Sequence, residues 1–65
     1  MTGTIARIFS ERGFGFISDG ARTYFFHAQQ LENRVFECVV VGDRVDFEWV
    51  DAPKGPRATS VSVIS

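Results

Sequence analysis

The residue types capable of chemistry concentrate in one stretch. Arg12-Gly13-Phe14-Gly15-Phe16-Ile17 is followed, after a short turn, by Tyr24-Phe25-Phe26-His27-Ala28. Aromatic rings present π-faces, and a π-face stacks on an unpaired nucleobase of any kind. Arg12 brings a guanidinium, which pairs with phosphate and also stacks on planar groups. Elsewhere the reactive inventory is thin. His27 is the only histidine and Cys38 the only cysteine. A metal centre needs several such ligands together, so none is expected. Cys38 has no base partner nearby in sequence and reads as an inert thiol. There is no phosphate loop and no catalytic triad, so neither an enzyme nor a cofactor is expected.

The elements that must hold these rings are few. The chain has 65 residues, a single expected domain over 1–65, near the lower size limit for independent folding. Its hydrophobic fraction of 45% fits a globular protein rather than a disordered one. In so small a core each ring moved to the surface forfeits burial of about 1.5–3 kcal/mol. Displayed aromatics therefore need a functional reason. The formal net charge is −1, which is not the basic balance of a protein that grips phosphates mainly by charge. One cysteine excludes an internal disulfide and suits a reducing compartment. There is no membrane-length apolar run and no signal-peptide layout at the start, so a cytoplasmic location without membrane partners is expected.

β-branched and aromatic residues with period-two alternation predict an all-β chain. Strands are expected at Thr4–Ser10, Phe14–Ser18, Arg22–Ala28, Arg44–Val50 and Ala58–Ile64. Ala52-Pro53-Lys54-Gly55-Pro56 is a loop by composition. Five short strands separated by turns predict a small antiparallel barrel, whose closure removes exposed edges. Gln29 to Val41 departs from the pattern, because Leu31, Val35, Cys38 and Val39 recur at helical spacing. A single helical turn near Gln30–Asn33 followed by irregular chain is expected there.

Strand parity divides the aromatic stretch. Gly13, Gly15 and Ile17 share one face of the second strand, and glycines fit the inner side of a tightly curved wall. Phe14 and Phe16 then point out. In the next strand Tyr24 and Phe26 face in, while Phe25 and His27 face out. A hairpin across Ser18–Ala21 sets Phe14, Phe16, Phe25 and His27 side by side in a flat patch. The opposite parity would put Phe14 and Phe16 in the core. Ile5, Ile17, Tyr24, Phe26, Leu31, Val45, Phe47 and Val61 already suffice for that core. In the first strand, alternation from an inward Ile5 would also bury Arg7. A lone buried charge is not tolerated, so a bulge or bend near Ala6–Ile8 is predicted to turn Arg7 outward. Trp49 shares a face with Val45 and Phe47 and is expected to pack on the core or cap a barrel end. Glu32, Glu37, Asp43, Asp46, Glu48 and Asp51 form a solvated acidic face.

Arg12-Gly13-Phe14-Gly15-Phe16-Ile17 resembles the first ribonucleoprotein motif of bacterial cold-shock proteins, Lys-Gly-Phe-Gly-Phe-Ile, and Phe25-Phe26-His27 resembles their second, Phe-Val-His. The likeness extends to Met1-Thr2-Gly3, Ile5, Phe36 with Gly42, Val45, Phe47 and Lys54-Gly55-Pro56 with Ala58 and Val61. It covers essentially the whole chain in order. RNA-recognition-motif domains carry similar motifs in the reverse order within a longer α/β chain, which this sequence does not match. The resemblance implies a five-stranded oligonucleotide-binding (OB-fold) barrel that binds single-stranded RNA or DNA. An RNA chaperone or a transcription or translation modulator is expected, as a monomer rather than a homodimer. Carried over by position, the platform is Phe14, Phe16, Phe25, His27 and Phe36. Arg12 stands at the phosphate-facing lysine, and Lys54 and Arg57 are candidates to add charge. The family's first strand reads Val-Lys-Trp-Phe-Asn; here Ala6 and Arg7 replace the lysine and tryptophan. Ala28 replaces a phenylalanine after the motif histidine. Two stacking positions are thus altered, a change worth about 2–6 kcal/mol unless compensated. Arg7, by guanidinium stacking, and Phe9 are the candidates to compensate. The altered platform also leaves open a barrel that binds a protein partner or dimerises through this patch.

Overall fold

The computed structural model describes residues 1–64. Alternating β-branched and aromatic residues pleat into strands that bury one face. There are five: β1 (Thr2–Phe9), β2 (Phe14–Ser18), β3 (Thr23–His27), β4 (Arg44–Ala52) and β5 (Gly55–Val63). They close into a barrel in the order β1-β2-β3-β5-β4. Four junctions are antiparallel, whereas β3 and β5 run parallel, meeting at Phe25 and Arg57. A ring of five strands cannot alternate direction all the way round, so one parallel junction is unavoidable.

The core follows the expected parity. Ile5, Ile17, Tyr24, Phe26, Val45, Phe47, Ala58, Val61 and Val63 are buried, and Leu31 packs half-buried against them. Gly15 marks the tight wall. A Cβ there would lie 2.5 Å from the Arg7 carbonyl oxygen and 2.9 Å from the Phe26 ring. Gly13 does a different job from the one expected. It sits in the β1–β2 turn with φ of 74°, a conformation that favours glycine.

Two local devices set the registers that matter for the site. The register of β1 on β2 shifts between Ile5 and Arg7, the predicted bulge, so that Ile5 is buried and Arg7 exposed. The β2–β3 hairpin is locked by Asp19. One carboxylate oxygen accepts from the amides of Ala21 (2.9 Å) and Arg22 (2.8 Å), and the other from the Tyr24 hydroxyl (2.8 Å). These donors, the Ala21 amide foremost, hold the Asp19 carboxyl below its ordinary pKa. Burial, with the Asp19 bond second, raises that of Tyr24.

Two expectations about the remaining chain are revised. The helical turn lies at Ala28–Gln30, and a second one occurs at Phe36–Cys38. The His27 imidazole caps the first by accepting from the Gln29 amide at 3.3 Å. Asn33 is then free to act as a surrogate strand, its amide group both accepting from and donating to the Val63 backbone at 2.9 Å. The loop expected over Ala52–Pro56 is a tight hairpin in which Ala52 pairs with Gly55 and only Pro53 and Lys54 turn. Pro56 stands at the start of β5, where a strand tolerates proline. Trp49 packs on the core as expected, 5.2 Å from Tyr24 between ring centroids, with the Arg22 guanidinium 5.4 Å from its ring centroid.

Candidate functional site

The outward faces of β1, β2 and β3 converge on one ring cluster. Phe14 lies opposite His27, and Phe16 opposite Phe25, across the β2–β3 pair. Ring centroids are 5.4 Å apart for Phe14 and Phe25, 5.8 Å for Phe16 and Phe25, and 6.1 Å for Phe14 and Phe16. Phe9 joins from the end of β1, stacked 4.9 Å from Phe14 and edge-on 6.3 Å from Phe16. All four phenylalanines and His27 are half-buried, so each ring supports its neighbours and still meets solvent.

The cluster is faceted rather than flat. Its interplanar angles run from 27° for Phe9 and Phe14 to 86° for Phe14 and Phe16. Aromatic quadrupoles favour edge-to-face contact, which tilts neighbouring rings against one another. The surface therefore offers several differently oriented faces to a flexible strand.

Phe36 is not part of it. Phe36 is 9% exposed and its ring lies in the core, 6.2 Å from that of Phe26. The second helical turn carries Phe36 inward and leaves its neighbour Val35 exposed. Ala28 packs against the core and leaves no ring at the end of the stretch.

Cations surround the cluster. Arg7 emerges from the bulge with its guanidinium 5.7 Å from the Phe9 ring centroid. Arg12 is exposed in the β1–β2 turn, and Arg57 is exposed on β5 where it meets Phe25. Lys54 sits at the tip of the β4–β5 hairpin. A surface hollow, lined by Phe16, Phe25, Pro53, Lys54, Pro56 and Arg57, continues the ring cluster toward that hairpin. Pro53 and Pro56 in this hollow were not legible as site residues. Their signal was the two-residue turn, masked by a loop-like composition.

Among the described residues none of these side chains forms an ion pair or a hydrogen bond to protein. Among the described residues the one ion pair joins the amino terminus to Asp46 at 3.3 Å. Asp46 and Glu48 point outward from β4, which does not adjoin β2 or β3 in the barrel. Glu11 is the acidic residue adjacent in sequence to a site cation, Arg12. The described residues contain no group of three or more His, Cys, Asp or Glu placed to hold a metal ion. No helix among them is long and apolar enough to cross a membrane.

Comparisons with known proteins identify the family. The family described as the 'Cold-shock' DNA-binding domain matches residues 1–64. The chain is 38% identical over 64 residues to the probable cold shock protein A of Mycolicibacterium smegmatis, covering 95% of this chain and 96% of that one. It is 39% identical over 62 residues to the cold shock-like protein CspLB of Listeria monocytogenes, covering 94% of each. Among solved structures, drosophila Unr CSD456 superposes with a TM-score of 0.71 at 22% identity, over 98% of this chain and 26% of the other, a likeness of fold. The chain belongs to the cold-shock family of nucleic-acid-binding domains.

Proposed function

We propose that this cold-shock domain binds single-stranded RNA or DNA by stacking unpaired bases on Phe14, Phe16, Phe25 and His27, with Phe9 as an added ring. The observation that supports this reading is the contiguous cluster of four half-buried phenylalanines on the outer face of the barrel, where each ring touches at least two others. Each stacked base contributes about 1–3 kcal/mol with little regard to base identity. Arg7, Arg12, Lys54 and Arg57 are the groups for the sugar-phosphate chain. A duplex hides its base faces and binds poorly.

Such a protein acts on folded RNA by mass action. Binding the open strand and not the hairpin pulls the equilibrium toward the open form. No nucleotide hydrolysis is involved, and the reading is of a non-enzymatic monomer working in the cytoplasm as an RNA chaperone. Fluorescence anisotropy with labelled oligopyrimidines tests it. Saturable binding at micromolar protein in low salt, with a matched duplex at least tenfold weaker, is expected. No binding under those conditions, or equal affinity for the duplex, refutes it.

A further inference from the structure

We propose that Arg7 selects guanine for the base that stacks on Phe16. The inference rests on the stacking function above and adds a preference at one position of an otherwise tolerant site. The bulge between Ile5 and Arg7 makes Arg7 the direct cross-strand partner of Phe16, with both side chains on the outer face. Side chains so paired stand about 4.5–5.5 Å apart at Cβ. A base lying on the Phe16 ring therefore has an edge within reach of the Arg7 guanidinium.

The guanidinium is also held and uncommitted. It lies 5.7 Å from the Phe9 centroid, so a cation–π contact anchors it at the rim of the cluster. It makes no ion pair and donates no hydrogen bond to protein among the described residues. Arg57 likewise faces a ring, Phe25, but has no ring anchoring it. Arg12 lies in a turn rather than beside a stacking face.

A fork of two parallel N–H donors needs two adjacent acceptors. Guanine presents O6 and N7 side by side and takes arginine bidentately. Adenine sets an amino donor beside N7, and thymine and uracil set an N–H beside each carbonyl. Cytosine has adjacent acceptors on a smaller ring system, with less area to lie on Phe16. Guanine is the base that satisfies both the fork and the ring. The site is open to water, so the preference belongs at the low end for such pairs, about fivefold.

The experiment measures affinities of labelled heptathymidine carrying one guanine, cytosine or adenine at each position in turn. Wild type, Arg7→Lys and Arg7→Ala are compared, with thermal melts to verify folding. The proposal expects one position where guanine tightens wild-type binding about fivefold over thymine and beats cytosine. Both variants should lose that ratio, because lysine keeps the charge but not the fork. Wild-type binding with no guanine preference, a cytosine preference as large, or a ratio retained in Arg7→Lys overturns the selection while the stacking function stands. A wild type that binds none of these oligonucleotides overturns the stacking reading, and this inference with it.

Discussion

Phe25 and Phe36 both occupy positions that the family resemblance assigns to the platform, yet their surroundings differ in kind. Phe25 is half-buried on the outer face, touching Phe14 and Phe16 and lining the adjoining hollow. Phe36 is 9% exposed and packs against Phe26 in the core. The same substitution to leucine at each position separates the two roles, because it keeps an apolar side chain and deletes the π-face. Phe25→Leu removes one stacking surface, about 1–3 kcal/mol of binding, or roughly a 5- to 150-fold loss of affinity. Its effect on stability is small, since the ring is partly in water already. Phe36→Leu removes no surface ring. It leaves affinity within about twofold and lowers stability by about 1 kcal/mol or more, because a buried ring gives way to a smaller side chain. Anisotropy with heptathymidine gives the affinities, and urea unfolding followed by Trp49 fluorescence gives the stabilities. If folded Phe36→Leu loses as much affinity as Phe25→Leu, the assignment of Phe36 to the core is refuted.

Three further outcomes are expected. Gly15→Ala places a Cβ 2.5 Å from the Arg7 carbonyl and 2.9 Å from the Phe26 ring; overpacking of this kind costs about 1–3 kcal/mol, read as a lower urea midpoint. The Asp19 carboxyl is held below its ordinary value of 3.8 by its hydrogen bonds. Its contribution is therefore full above that value and fades as pH falls through the folded-state value. Unfolding between pH 6 and 2 should show that loss in wild type and a flatter profile in Asp19→Asn. With at most Arg7, Arg12, Lys54 and Arg57 at the site, single-strand binding should fall with salt at a log–log slope of magnitude below about 3; a steeper slope would mean that charge, not stacking, dominates.

Much of the site was legible because period-two parity is local. Gly15 and Ile17 face in, so Phe14 and Phe16 must face out, and the Ser18–Asp19–Gly20 turn brings Phe25 and His27 beside them. Even the bulge was legible, since an inward Ile5 and a buried lone Arg7 are incompatible in a regular strand. Phe36 was not, because its direction depends on how the segment after β3 folds back over the barrel. That segment is tied down by Asn33 bonding to Val63, thirty residues away in sequence. The hairpin at Pro53 and Lys54 was hidden for a related reason. Its composition says loop, and only pairing of Ala52 with Gly55 shows that the strands run on.

The amino-acid sequence by itself determined the all-β class, the strand faces and the type of chemistry, because side-chain alternation and turn residues act within a few positions of the chain. Tertiary structure decided the parallel β3–β5 junction, the tilted rather than flat ring cluster, and the withdrawal of Phe36. It also decided that Arg7 stands opposite Phe16 with its guanidinium over Phe9. Each of these depends on which distant strands meet and in what register. Long-range contacts of that kind are set by closure of the whole barrel, not by the residues beside them in sequence.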